Sequence, residues 1–393
     1  MPCPYRVKIG HSYYCGKRVP LGCNPSSCPF GRRVWRALVA DDYDSEKVWL
    51  ISEEKMTLES DREAALKLCK REGGYMVKQI KYRFHGRDRI YRLKAGEIKR
   101  DTFERAKALT FFFDLEAGGE RGRGARIAII DSGIKEGQNV PTIALGGSAY
   151  DEENHGSVVV DIIRELAPSA EITMIKLPGH EFMDSDIITA LDEARKRNVH
   201  AINMSIQSDA PSDGRDPVCL YINYLSEMGI VTCIAAGNGG PSPMTVGSPG
   251  AAEWALTVGG VNTSGKILRW SSRGPTLDRR IKPDASAPGQ YVFGDYYLRG
   301  TSFAAPFGAA LAGIINRDLR HARMTHRIIS LSSSPFPEFF YTSNKKKAFL
   351  DLRKQIDVRN IGGYGILNAV RAVEWAADFS HNNKPESRGE AEK

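Results

Sequence analysis

From Ala125 onward the hydrophobic positions gather in short runs: Ile127–Ile130, which is continuous, and Ile172–Leu177, Val199–Met204, Ile230–Ala236 and Ala255–Val258, each interrupted by one or two polar residues. A run apolar at most positions, too short for a helix, reads as a strand buried on both faces. Between these runs, Ser185–Arg197 and Asp216–Met228 have helical spacing. Strands alternating with helices predict a parallel sheet covered on both sides. The first hundred residues are patterned differently. Val34–Ala40 is strand-like, and Asp61–Arg71 has helical spacing through Ala64, Ala65, Leu66 and Leu68. Tyr75–Tyr82 and Arg89–Leu93 alternate, which predicts a hairpin around the turn His85-Gly86-Arg87-Asp88. These elements suggest a small α+β module ending near residue 97, with Asp101–Glu116 as a helix or linker beyond it.

In open parallel sheets, ligands bind beyond the carboxyl ends of the strands, so the polar residues after each run are the candidate chemistry. The first run ends in Asp131-Ser132-Gly133, where the carboxylate either caps a turn or pairs with an imidazole. His155-Gly156-Ser157 precedes an apolar helix start. Asn203-Met204-Ser205-Ile206-Gln207 closes the third run and Ala235-Ala236-Gly237-Asn238 the fourth. Asn238 is either a left-handed turn residue or an amide donor to a developing oxyanion. Gly300-Thr301-Ser302-Phe303-Ala304-Ala305-Pro306 leads into a helix apolar on nearly every side. Pro306 is tolerated in a first helical turn, and Ser302 is either an N-cap or a nucleophile at the positive end of the helix. Asp131, His155, Asn238 and Ser302 are the residue types that acyl transfer needs, at positions that converge in a parallel sheet.

Composition narrows the class. The chain has 393 residues with 55 Lys and Arg against 47 Asp and Glu, enough for one large α/β domain and a smaller one. No apolar run approaches the length of a membrane span, and Met1–Arg6 lacks the apolar core of a secretory signal, so a cytoplasmic protein is expected. The charge is uneven: residues 1–110 hold 24 Lys and Arg against 14 Asp and Glu, and the remainder is near neutral. A basic segment can touch an acidic partner, but no recognition motif accompanies it and nucleic acid is not the expected partner. Of seven cysteines, Cys3, Cys15, Cys23 and Cys28 crowd the first 28 residues beside His11. They are candidates for a structural zinc or an oxidised staple, although the paired knuckle of most zinc sites is missing. Cys69, Cys219 and Cys233 read as isolated thiols of a reducing compartment.

Residues 123–377 resemble the subtilisin-like serine proteases, the subtilase family. The resemblance rests on Asp131-Ser132-Gly133, His155-Gly156-Ser157 and Gly300 to Pro306, in the family's order. It is strengthened by Ala235-Ala236-Gly237-Asn238, Ser271 to Pro275, Ile281 to Gly289 and Gly363 to Ala369. It implies a three-layer α/β fold with a mostly parallel central sheet, preceded here by the α+β module. It also implies an endopeptidase acting through an acyl-enzyme, with Ser302 as nucleophile, His155 as base, Asp131 as orienting carboxylate and Asn238 as oxyanion donor. The substrate is then a polypeptide, and a dedicated intracellular processing role is expected. Catalysis needs no cofactor, and the sequence assigns no ligands to the calcium sites common in relatives. The alternative is a catalytically silent scaffold of the same fold, although no catalytic position has been lost.

By the same resemblance, Ser205, Ile206, Gln207, Ala236 and Gly237 wall the substrate pocket, with its floor at Gly247. A glycine floor and no charge at Gly239 suggest a roomy pocket for a large, largely apolar side chain. The chain departs from the pattern in having Phe307 and Val158 where histidines are common, in the short Asp131–His155 spacing, and over Arg327–Asn344. The expected division is a Cys-rich segment (1–33), the α+β module (34–100), a linker (101–122), the peptidase domain (123–378) and a charged, disordered tail (379–393). The module lies outside the resemblance and reads either as a propeptide-like chaperone or as a retained partner- or substrate-recognition module.

Overall fold

The computed structural model describes residues 6–9, 12–15, 36–39, 48–51, 56–59, 75–78, 80–83, 88–94, 100–208, 210–337, 357 and 359–382. Below residue 88, side chains are described only for Ile80 and Tyr82. The helix expected at 61–71 and the tail beyond 382 lie outside the described residues.

Five strands, β9 (Arg126–Asp131), β11 (Glu171–Lys176), β13 (Ala201–Met204), β14 (Val231–Ala235) and β15 (Leu256–Asn262), form where the apolar runs predict them. Together with β10 (Thr142–Ala144), β16 (Ala285–Phe293), β17 (Tyr296–Arg299) and β8 (Arg89–Arg92), they make one sheet ordered β10-β11-β9-β13-β14-β15-β16-β17-β8. The pairs from β10 through β16 are parallel; β17 and β8 add antiparallel. Because side chains alternate along a strand, each run feeds two cores. Ile127 and Ile129 enter one cluster with α3 (His155–Leu166) and α6 (Ala305–Leu319), while Ala128 and Ile130 enter the other with α4 (Asp184–Lys196) and α5 (Pro217–Glu227).

Helix α6 is buried on nearly all sides because its small residues let it lie close to the sheet: a Cβ on Gly313 would stand 2.8 Å from Ile127. Pro306 sits in its first turn, after a 3₁₀ turn at Thr301–Phe303. The segment expected as a helix or linker contains two short helices, α1 (Phe103–Leu109) and α2 (Phe112–Ala117), whose Phe103 and Phe112 rings contact Phe307. That contact gives Phe307 an apolar role at a position where relatives often carry histidine. Two further helices, α7 (Ala322–Leu331) and α9 (Ala369–Asn382), follow on the α6 side, with the one-turn α8 (Arg359–Gly362) between them in sequence. Helix α9 runs past the expected domain end at 378.

The N-terminal strands depart from expectation. β1 (Arg6–Ile9) and β2 (Ser12–Cys15) form an antiparallel pair, and β3 (Arg36–Val39), β4 (Val48–Ile51), β5 (Met56–Glu59) and β6 (Tyr75–Lys78) form a sheet ordered β5-β4-β3-β6. The hairpin predicted across 75–93 does not form. β6 pairs with β3, β7 (Lys81–Arg83) pairs antiparallel with β12 (Glu181–Met183), and β8 becomes the ninth strand of the large sheet. Alternation shows that a segment suits a half-buried strand, not which edge receives it, and an isolated two-strand hairpin is only marginally stable.

Candidate active site

Each candidate side chain sits at the end of a parallel strand or the start of a helix. Asp131 ends β9 and His155 opens α3, and their Oδ1 and Nδ1 atoms lie 2.7 Å apart in full burial. The two turns carrying them are clamped together by Asp151. Its Oδ1 accepts from Ser132 Oγ at 2.8 Å, and its Oδ2 accepts from the Ser157 amide and hydroxyl at 2.7 and 2.6 Å. Ser132 Oγ in turn accepts the Gly156 amide at 2.9 Å. Glycine at 156 is a steric requirement, since a Cβ there would stand 2.6 Å from the Gly133 carbonyl oxygen.

Ser302 lies in the 3₁₀ turn ahead of α6, and neither that turn nor the helix takes a side-chain cap. Of the two roles open to this serine, the N-cap is therefore unused. Its carbonyl oxygen accepts the Ser205 hydroxyl at 2.9 Å, which Asn203 Nδ2 supports from 3.1 Å. Asn238 follows β14, and its Oδ1 accepts the Thr301 amide at 3.0 Å, which fixes the orientation of the side-chain amide. Gly237 donates to Thr301 Oγ1 at 2.9 Å and locks the same turn.

The sequence gives no hint of the residue at the centre of this arrangement. Asp88 arrives from 214 positions away, and its Oδ2 accepts the Ser302 hydroxyl at 2.5 Å. The same Oδ2 lies 3.6 Å from His155 Nε2, and Oδ1 accepts Asn238 Nδ2 at 2.7 Å. The Ser302 hydroxyl, the His155 imidazole and the Asn238 amide thus meet on one carboxylate that is 8% exposed. Gly300 makes the room, since a Cβ there would fall 1.7 Å from Asp88 Oδ1. Local sequence marks Asp88 only as a turn residue.

The electrostatics follow from this crowding. Burial disfavours the His155 imidazolium, but the Asp131 carboxylate, then Asp88, more than compensate and raise its pKa well above 6.5. Burial likewise works against an ionised Asp88, yet His155, Ser302 and Asn238 hold its carboxyl below the ordinary 3.8.

The remaining candidates flank this centre. Ser205, Ile206 and Gln207 follow β13, and Ala236 and Gly237 follow β14. The open space expected over the glycines is taken. A Cβ on Gly237 would fall 1.4 Å from Gln207 Oε1, and one on Gly247 would stand 2.5 Å from the Ser208 and Ala210 carbonyl oxygens. Cys3, Cys23 and Cys28 lie outside the described residues, and Cys15 is described only in its backbone. Among the described residues no three His, Cys, Asp or Glu side chains are placed to hold a metal, and no helix is long and apolar enough to cross a membrane.

Comparison with known proteins agrees with this architecture. Residues 122–332 match the model of the subtilase family, and the chain belongs to that family. Serine protease AprX of Bacillus subtilis (strain 168) is 27% identical over 252 residues, 49% of this chain and 57% of that protein. Subtilisin E of the same organism is 29% identical over 258 residues, 58% of this chain and 65% of that protein. Pyrolysin of Pyrococcus furiosus is 31% identical over 201 residues, 41% of this chain and 14% of that protein. In each case the match spans less than two thirds of the relative's length. Among solved structures, a lanthipeptide protease superposes with a TM-score of 0.54 at 20% identity, covering 69% of this chain and 94% of its own. The prenylagaramide maturation protease PagA gives 0.55 at 18% identity, covering 67% and 98%. At these identities the likeness is one of fold.

Proposed function

We propose that the chain is a serine endopeptidase in a self-inhibited form, with Asp131, His155 and Ser302 as its triad. Ser302 Oγ attacks the scissile carbonyl carbon while His155 Nε2 takes its proton. The C–N bond then breaks as that proton passes to the leaving amine, and water releases the acyl group by the same steps in reverse roles. Asp131 holds the imidazole tautomer, and Asn238 Nδ2 with the Ser302 amide stabilises the oxyanion, a type of donor whose loss in subtilisin costs ~10²–10³ in rate. The observation that carries this reading is the meeting of Ser302 Oγ and His155 Nε2 on the same Asp88 oxygen, with Asp131 behind the imidazole. A silent scaffold has no use for such a convergence.

In this form two requirements for catalysis are blocked. The Asp88 carboxylate takes the hydrogen bonds of Ser302 and Asn238 that an acyl substrate needs, and it keeps on His155 the proton that a general base must not carry. The N-terminal module therefore acts as an inhibitor carried on the same chain. Buried, unpaired Cys219 and Cys233 suit processing in a reducing, intracellular compartment. The test is labelling by a fluorophosphonate probe in wild type, Asp88→Ala and Asp88→Ala/Ser302→Ala. Labelling that Asp88→Ala accelerates and Ser302→Ala abolishes is expected. A folded Asp88→Ala protein that never labels would overturn the enzyme reading.

A further inference from the structure

We propose that the pocket filled by Tyr82 is a substrate subsite that selects a tyrosine side chain by its hydroxyl. This rests on the endopeptidase reading and adds the class of side chain that the site recognises.

The path of the chain is the first reason. β7 lies antiparallel on β12, with Tyr82 opposite Phe182. Six residues later Asp88 meets Ser302, and β8 continues antiparallel along β17, the strand immediately before Gly300. Residues 81–83 and 89–92 thus pair with an edge strand on either side of Ser302, with Asp88 between them at its hydroxyl. An extended peptide cleaved at Ser302 must follow the same path, and β12, whose partner in the structure is β7, offers its edge for strand addition. Tyr82 accordingly stands where a substrate side chain would stand on the N-terminal side of the scissile bond.

The chemistry of the pocket is the second. Tyr82 is 1% exposed, its ring stacks against Phe182 at 6.1 Å and 4°, and it belongs to the apolar cluster of Ile206 and Val218. The floor is polar. The phenol donates to Asp184 Oδ1 at 3.0 Å and lies 2.9 Å from Ser248 Oγ, which donates to Asp216 Oδ1 at 2.7 Å. Asp184 Oδ2 accepts the Ile80 amide at 2.6 Å, so one buried carboxyl reads both the backbone and the ring hydroxyl of this segment. A tether that only needed to fill space would take phenylalanine as well. A buried site built around a hydroxyl rejects the side chain lacking it, because its polar groups are left unpaired.

The test has two arms. In full-length Tyr82→Ala/Asp88→Ala, which empties the pocket, cleavage of a peptide library is read by mass spectrometry, with fluorophosphonate labelling as the control for a working nucleophile. The expected profile favours Tyr over Phe by ~10-fold or more at one fixed position before the cleaved bond, and Asp184→Asn in the same background brings the two near parity. In the otherwise native chain, Tyr82→Phe should raise amide exchange across residues 80–83 by ~10-fold while β13 stays protected. A protein that labels but cleaves after Tyr- and Phe-bearing segments alike overturns the subsite and leaves the endopeptidase reading standing. Failure to label at all overturns the endopeptidase reading, and the substrate claim with it. Unchanged exchange in Tyr82→Phe shows that the hydroxyl is not read.

Discussion

Replacing Asp88 by alanine should convert a latent protein into a reactive one, and the size of the change can be worked from its contacts. The carboxylate accepts two hydrogen bonds, from Ser302 Oγ at 2.5 Å and Asn238 Nδ2 at 2.7 Å, and faces His155 Nε2 at 3.6 Å. Hydrogen bonds to a charged group contribute ~1.5–3 kcal/mol each. At 8% exposure little solvent screening reduces that figure. Two such bonds favour the closed form by ~3–6 kcal/mol, or roughly 10²–10⁴ in its equilibrium. The lower end is the better expectation, because the β8 ladder on β17 persists in the variant and keeps the strand near the cleft. Fluorophosphonate labelling of Asp88→Ala should therefore run about 10² faster than wild type. Asp88→Asn should fall between them, since it keeps an acceptor for Ser302 but removes the charge facing His155. Intact mass and circular dichroism establish that the variants are folded and uncleaved. Equal labelling rates in folded wild type and Asp88→Ala would refute the lock.

The closed form should also depend on pH in a two-sided way. The raised His155 pKa gives it stability that is complete below about 6.5 and is lost as pH climbs through the raised value. The lowered Asp88 pKa gives stability present above about 3.8 and lost as pH falls through the depressed value. Labelling of wild type should rise only as pH climbs through the raised His155 value, and Asp88→Ala should move that rise to lower pH; a profile identical in the two proteins contradicts the assignment. Away from the site, Lys282 Nζ contacts Asp284 Oδ2 at 2.7 Å in full burial, and despite burial the Asp284 pKa is held down to about 2 by Lys282 and His326. Lys282→Ala strands a buried carboxylate and should cost ~3–5 kcal/mol in urea unfolding, and a loss below ~1 kcal/mol would show that His326 suffices.

The short, predominantly apolar runs determined the fold. A strand buried on both faces is apolar at most positions, so β9, β11, β13, β14 and β15 are legible one by one, and their alternation with helical segments dictates a parallel sheet. The candidate chemistry was legible for a related reason, since side chains at the carboxyl ends of such strands face a common cleft and Asp131, His155, Asn238 and Ser302 are the polar residues placed there. Local sequence could not choose between Ser302 as N-cap and as nucleophile; only the packed turn shows that its side chain caps neither the 3₁₀ turn nor α6. Nor could it assign the partners of 75–93, because alternation fits any half-buried edge, and the edges that received β7 and β8 belong to strands about 100 and 200 residues further along. Asp88 is the extreme case. Nothing in His85-Gly86-Arg87-Asp88 marks a catalytic neighbour, and its meeting with Ser302 is a contact of high sequence separation that exists only after the sheet has formed. The composition of each segment sets which element it becomes, while the pairing of edges far apart in the chain sets what those elements enclose.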